Sequence, residues 1–568
     1  MLYGGDRMSA HNDGSAPVVV VGGGPSGLAA ATLLGQYGVE CLVLDRWEGV
    51  YPLPRAVHLD DEVYRILHRL GVGTQFAGLS RPAHGLRLLA PDHRVIAEFR
   101  RPADGGAHGY PQANMFDQPD LEQLMRNNLR IMPTVTLRGN VEVLGLTQGN
   151  AAVQVDFTDR ATGARESVRA SHVLGCDGAS SMVRGAIGAE MEDLGFEQRW
   201  LVVDVDTSAQ LNQWEGIHQL CDSHRAGTYM RVGEVRYRWE FRLLPDETAA
   251  DFATMDTLHP LIRPWTGDVP VDDLRVIRVA DYTFRAQVAN KWRDRRVFLL
   301  GDAAHLSPPF IGQGMGAGLR DAMNLAWKLA GVLAGELPAT TLASYQTERK
   351  RHARRTITVA KLFGLTMTAG GRVGTALRRF FAPGLHLVAG LPAQSWTAIP
   401  LGSRLSALAR TSAVGRLCPN SRTSVTPGAT RFDDVAGDGF ALLALAITPE
   451  ERERILLRGA APVVPDPGSE LHQWLVGHRI AAAVVRPDRA VMFTSESVAG
   501  SLTRLPSFHS AAAKTERTEA EPTKHASKPE SHGREPRPTG PAKVRPSRSG
   551  RHTPRDQPLP YPNTKGTP

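Results

Sequence analysis

No two cysteines in this chain are spaced to share a metal or to form a redox pair. The four present, Cys41, Cys176, Cys221 and Cys418, include no CxxC and no Cys/His cluster. That excludes a zinc module and a disulfide framework; each is expected simply to be buried, and no metal is expected. An uninterrupted apolar run of membrane-spanning length is also missing, and Met1 to Ala16 has no signal-peptide apolar core. A cytoplasmic location without membrane attachment is therefore expected. At 568 residues with 42% hydrophobic and 22% charged content, the chain has the make-up of a globular enzyme of roughly two to four domains.

Acidic excess is lacking too, since the net charge is +8. Its location decides its meaning. Residues 510–568 hold five Lys and seven Arg against five Glu and one Asp, a net +6 that leaves only +2 elsewhere. That tail is rich in Pro, Ser and Thr, and Val544, Leu559 and Tyr561 are its only large apolar residues. It cannot bury enough surface to offset its ordering entropy and is expected to be a disordered basic tail over 508–568. No specific nucleic acid is expected as a partner; the alternative is a nucleic-acid-associated protein acting through this tail alone.

The front of the chain is rich in β-formers and glycine. Pro17 to Val21 reads as a buried strand, Gly22-Gly-Gly-Pro-Ser-Gly27 as a tight turn, Leu28 to Tyr37 as a helix and Cys41 to Leu44 as the next strand. Gly22-x-Gly24-x-x-Gly27 thus follows a strand and opens a helix, and Asp45 answers it 18 positions after Gly27. The first glycine allows the turn, the second lets the backbone approach a pyrophosphate, and the third permits close helix–strand packing. The helix N-terminus attracts phosphate, and Asp45 can accept hydrogen bonds from a ribose. This pattern suits FAD and NAD equally.

Two later segments place a Gly/Asp pair at the end of an apolar strand: Val173 to Arg184, with Asp177-Gly178, and Val297 to Gly316, with Gly301-Asp302 followed by Pro308-Pro309 and a glycine-rich helix start at Gly314. Strand-end capping is the plain alternative for both aspartates. Between them, segments such as Trp200 to Val205 and Val235 to Phe241 read as antiparallel sheet. A helical pattern runs from about 317 to 370 with interruptions. Further on come a strand at Phe440 to Leu445, a helix at Pro449 to Leu457 and a strand at Ile480 to Val485, a small α/β unit.

With all three motifs in order, the chain resembles the group A flavoprotein aromatic hydroxylases, the family of para-hydroxybenzoate hydroxylase and phenol hydroxylase. The resemblance implies an α/β fold: a Rossmann-like FAD-binding domain carrying an inserted, mainly antiparallel β-sheet substrate domain, then a thioredoxin-like C-terminal domain. The boundaries it implies are a flexible N-terminus (1–16), FAD-binding domain (17–190 and 286–375), substrate sheet (191–285), linker (376–430) and thioredoxin-like unit without CxxC (431–507). The cofactor is FAD, with NADH and O2 as co-substrates. Its contacts are expected from Gly22, Gly24, Ser26, Gly27, Asp45, Arg46, Arg55, Gln118, Asp177, Gly301, Asp302, Gly314, Met315 and Gly316. Asp302 would meet the ribityl chain, Asp177 would serve both FAD and NAD(P)H, and Pro308 and Pro309 would line the reaction pocket.

Stretches such as Tyr51 to Glu62, Gln198 to Asp204 and Arg236 to Glu247 are similar, within that family, to the hydroxylases of 3-(3-hydroxyphenyl)propionate and 3-hydroxycinnamate. The implied reaction is ortho-hydroxylation of such a phenol in aromatic catabolism; the alternative is another phenol or an aromatic polyketide. Ring attack is favoured when the phenol loses its proton, so His58 and His305 are the candidate bases, with Pro308 the candidate pocket residue beside them that the resemblance implies. A substrate carboxylate calls for a partner among Arg236, Tyr237, Arg238 and Arg242, with alternation sending Tyr237 to the opposite face from Arg236 and Arg238. A homodimer is the expected assembly.

Overall fold

Val18 to Val21 carry no side chain that gains from water, so this strand can lie only where both faces are covered. In the computed structural model, which describes residues 15–53, 55–101, 105–106, 108–370, 374, 413–426 and 430–509, Ser15–Val21 lies inside an eight-stranded sheet. It is parallel to Cys41–Leu44 on one side and to Arg165–Gly175 on the other; Val135–Arg138 and Val297–Leu299 extend the parallel set. Parallel neighbours need crossovers, and helix Pro25–Gln36 supplies the first. It starts three residues before the expected Leu28 because Pro25, lacking an N–H, is well suited to a first helical position. The expected flexible N-terminus up to residue 14, residues 376–412 and 427–429 of the expected linker, and the expected tail beyond 509 lie outside the described residues.

A second eight-stranded sheet is mostly antiparallel and has the order His305–Leu306, Arg275–Ala289, Met191–Asp206, Arg236–Arg242, Gly227–Arg231, Ile217–Leu220, Gly85–Leu89 and Val95–Arg100. The sheet expected over 191–285 therefore also takes strands from 85–100 and 305–306. Their nearest strands in sequence belong to other sheets, so only long-range pairing reveals them. Strand alternation gives this sheet two different faces. Leu201, Val203, Val205, Tyr229, Tyr237, Trp239 and Phe241 pack into one apolar cluster with Leu258, Ile262 and Trp265 of helix Met255–Thr266. Val202, Thr228, Met230, Arg238 and Glu240 point the other way, into a cavity shared with the first sheet. Tyr237 and Arg238 thus occupy opposite faces, as alternation requires.

The helical pattern beyond 317 resolves into Gly314–Leu333 and Ala343–Thr368. The C-terminal unit has four strands in the order Ala461–Val463, Ala441–Ala444, Ala482–Val485, Val491–Ser495, the first pair parallel and the others antiparallel. Its central strands have no solvent face. Ala441, Leu443, Ala483 and Val485 pack with Phe432, Leu471 and Leu475, whereas Leu442, Ala444, Ala482 and Val484 join the main core. Phe440 meets Trp327 edge-on at 5.4 Å and Phe508 at 5.9 Å, tying the unit to helix Gly314–Leu333. Phe440→Ala is expected to cost about 3 kcal/mol, read as a lower urea midpoint; an unchanged midpoint would mean that the unit docks without this contact.

Candidate functional site

Two helix N-termini border one cavity of about 460 Å³ between the two large sheets. Helix Pro25–Gln36 begins at Gly24 and helix Gly314–Leu333 at Gln313, and neither start has a side-chain cap. Uncapped amides leave N–H donors and the positive end of the helix dipole available to an anion. Gly24 has open space where a side chain would be, whereas a Cβ at Gly27 would collide with the carbonyl of Gly22. Gly22 itself sits at φ 103°, a left-handed backbone that glycine adopts without strain.

On the first-sheet side the wall holds Gly24, Ser26, Arg55, Gln118, Gly178, Ala179, Asp302, Gly314 and Met315. Gln118 Oε1 accepts from the amides of Ala56 (2.6 Å) and Arg55 (3.2 Å), and its Nε2 donates to Glu122 at 2.6 Å. The loop bearing Arg55 is thereby tied to helix Gln118–Arg130. The Asp302 carboxylate makes no hydrogen bond or ion pair among the described residues and faces the cavity. Its loop is pinned from behind by Asp321, which accepts from Gly301 N (3.0 Å), His305 Nε2 (2.8 Å) and Arg349 Nε (2.8 Å). Burial would raise the Asp321 carboxyl, but His305 and Arg349 outweigh it and hold it below the ordinary range.

Other expected site residues lie behind the wall. Gly22, Gly27 and Gly301 shape turns, Gly316 packs on Val63 and Arg320, and Arg46 is exposed with its guanidinium over Trp47. Asp45 is buried in an ion pair with Arg126, whose Nη2 also reaches the Gly23 carbonyl at 3.3 Å. Arg126 went unnoticed in the sequence, although Gln118, Glu122 and Arg126 recur every fourth residue on one helix face. Asp177 takes the capping role: it accepts from Ser181 Oγ (2.6 Å) and Val183 N (3.0 Å) at the start of Met182–Ala186, and Gly178 lines the cavity instead.

The reaction-pocket expectations need correction at two positions. His305 is buried against Trp292 and bound to Asp321, away from the cavity, so it offers no base there. Pro308 is buried, and the adjacent Pro309 is the proline on the wall. His58 does line the cavity, but burial, aided by Arg101, lowers it to about 4, so at neutral pH it is uncharged and a weak proton acceptor. Cys176 also lines the wall; burial pushes its thiol well above the ordinary value, leaving it unreactive.

The second-sheet side combines aromatic surface with a polar rung. Phe284, Phe310 and Phe363 line it, and Phe310 meets Trp200 edge-on at 5.4 Å. Asp204 faces Arg238 and Arg278 on its two neighbouring strands. Arg238 donates to it through Nε (2.7 Å) and Nη2 (3.0 Å), and Arg278 Nε approaches at 3.1 Å. Glu240, two residues beyond Arg238, is half-buried in the same wall, and burial pushes its carboxyl up. Arg236 belongs to a separate cluster with Asp117 and Asp206, outside the cavity. Arg278 and Glu240 had no signal in the sequence, because their roles depend on strand pairing across about forty to eighty positions.

The FAD binding domain family matches residues 15–360. The 3-(3-hydroxy-phenyl)propionate/3-hydroxycinnamic acid hydroxylase of Burkholderia cenocepacia is 31% identical over 526 residues, covering 85% of this chain and 94% of that protein. A probable NADH-specific resorcinol 4-hydroxylase of Rhodococcus jostii is 33% identical over 494 residues, covering 83% and 90%. The ternary complex of aklavinone-11 hydroxylase with FAD and aklavinone superposes with a TM-score of 0.68 at 23% identity, covering 89% of this chain and 98% of that one, a likeness of fold.

Asp302→Ala should purify pale; a fully yellow protein, measured by the flavin to protein absorbance ratio, would place the cofactor contact elsewhere. Acid stability provides a second check. His58, His172 and His218 are each lowered by burial from 6.5 to about 4, so the unfolded chain takes up protons first. Their contribution is whole above pH 6.5 and is lost as pH falls toward 4. The Asp61 carboxyl, raised to about 7 by burial, acts oppositely in the same window, so the check is a difference. The excess urea midpoint of the wild type over His172→Gln should shrink as pH falls from 6.5 toward 4, and a constant excess would show that ring to be solvated.

Proposed function

The chain belongs to the FAD binding domain family and is a flavin-dependent aromatic hydroxylase; on that footing we propose that it ortho-hydroxylates 3-(3-hydroxyphenyl)propionate, and 3-hydroxycinnamate, with NADH and O2 in the cytoplasm. The observation that carries this reading is the Arg238–Asp204–Arg278 rung beside an aromatic wall. Two guanidiniums share one buried carboxylate, and the neighbouring Glu240 has its proton favoured by burial. A substrate carboxylate would meet these guanidiniums at the cavity wall, with its ring against Phe284 and Phe310.

The residues fit FAD. The uncapped start of Pro25–Gln36, with Gly24 open beside it, would take the pyrophosphate. Asp45 would take the ribose while held by Arg126, Asp302 the ribityl hydroxyls, and Gly314 and Met315 the ring edge. When bound, FAD accepts a hydride from NADH and delivers one atom of O2 to the ring. The balance is phenol, NADH, H⁺ and O2 giving the ortho-diol, NAD⁺ and water. The protein orients the ring and excludes water through Phe310 and Phe363; neutral His58 can accept a hydrogen bond without adding charge. We read the C-terminal unit, whose strands follow a βαβαββα order, as thioredoxin-like and, lacking CxxC, without dithiol chemistry.

The likeness to a resorcinol hydroxylase favours a second reading, in which the phenol carries no carboxylate. Anaerobic reduction of the bound flavin by NADH separates the two. 3-(3-Hydroxyphenyl)propionate should accelerate reduction and, in air, yield the 2,3-dihydroxy product. Arg278→Met should raise its KM about tenfold or more while leaving the resorcinol response unchanged. Acceleration by resorcinol alone would sink the carboxylate reading.

A further inference from the structure

A second cleft, of about 440 Å³, lies between helices Asp61–Arg69, Gly314–Leu333 and Ala343–Thr368 on one side and residues 414–417, Asp433 and 486–492 on the other. It shares no lining residue with the flavin cavity. Its wall holds nine arginines and four carboxylates; all four carboxylates are engaged, and Arg69, Arg320 and Arg349 are also answered from outside the wall by Asp438, Asp60 and Asp321. Arg320 reaches Glu62 at 2.9 Å; Arg65 (2.6 Å) and Arg489 (2.8 Å) share Asp433; Arg486 takes both Glu348 (2.9 Å) and Asp488 (2.5 Å). Arg351 and Arg355, one helical turn apart and exposed, have no hydrogen bond or ion pair among the described residues. Nor does nearby sequence offer a counter-charge, since the chain from Arg349 to Phe432 contains no Asp or Glu.

Buried donors make this cleft more than a basic surface. Arg489 is only 4% exposed, yet its Nη1 has no partner among the described residues, and the buried Nδ1 of His352 in the same wall has none either. An unpaired buried polar atom is costly, and an anion in the adjacent cleft would offset that cost once the Arg489 side chain turns to meet it. Arg489 also sits at φ 67°, a left-handed conformation that a side-chain-bearing residue adopts only under strain. Several guanidinium forks converging on a polar cleft suit an oxyanion carrying more than one charge.

We propose that this cleft binds a phosphate-type polyanion, a pyrophosphate group supplied either free or as part of a nicotinamide dinucleotide. The proposal is independent of the phenol assigned to the flavin cavity. Calorimetric titration of the full-length holoenzyme with inorganic pyrophosphate should show one saturable site per chain. The Arg351→Gln/Arg355→Gln double variant, altered only at exposed positions, should bind it about tenfold or more weakly with an unchanged flavin spectrum. Arg489→Lys, which keeps the charge and loses the fork, should also weaken it. Displacement by NADH that disappears in the double variant identifies the dinucleotide as the source; binding indifferent to NADH identifies the free anion. Absence of saturable binding, equal affinity in the double variant, or the same heat from chloride at matched ionic strength would each overturn the proposal.

Discussion

Asp321 has no contact with water, and three groups from three different segments converge on it. Gly301 brings the loop that follows a parallel strand, His305 brings the short strand that joins the second sheet, and Arg349 brings helix Ala343–Thr368. A carboxylate buried so completely survives only with its charge answered on every side. Its position on helix Gly314–Leu333 means that the same helix whose N-terminus borders the cavity also anchors the loop presenting Asp302. Displacing the Asp302 loop from this helix would leave the carboxylate partly unpaired.

The second sheet solves a comparable problem with strand pairing. Asp204 lies between Arg238 and Arg278 in a single rung, so three charged side chains are buried together on the face that also bears Glu240 and Thr228. The opposite face, with Trp239, Tyr237 and Trp265, is packed as a conventional core. One sheet thus serves as structural support on one side and as pocket wall on the other. A one-residue slip of register would exchange the two, burying Asp204 in the apolar cluster, so the tight apolar packing also guards the position of the polar rung.

Local pattern made much of the architecture legible. The GxGxxG turn, its flanking strands and the Gly301-Asp302 loop stand where hydrophobic period and glycine spacing put them, and Cys41–Leu44 and Pro449–Leu456 agree with their expected spans almost to the residue. Strands Gly85–Leu89 and Val95–Arg100 were missed as members of the second sheet, because nothing local distinguishes an edge hairpin of one sheet from a connection in another. His305 misled for a related reason: it follows Asp302 closely in sequence, but the 3-10 turn over Gly301–Ala303 directs the two side chains to opposite sides of the loop.

Sequence by itself determined the FAD-binding family and where its three glycine-bearing loops fall, since those constraints are local: a tight turn, a helix start, a strand end. Tertiary structure alone decided which charged side chains face the cavity and which neutralise one another. Asp45 is shared with Arg126, and Arg238 is joined by Arg278 across Asp204. A charged residue's role depends on the nearest opposite charge, and for these side chains that partner lies tens of positions away along the chain.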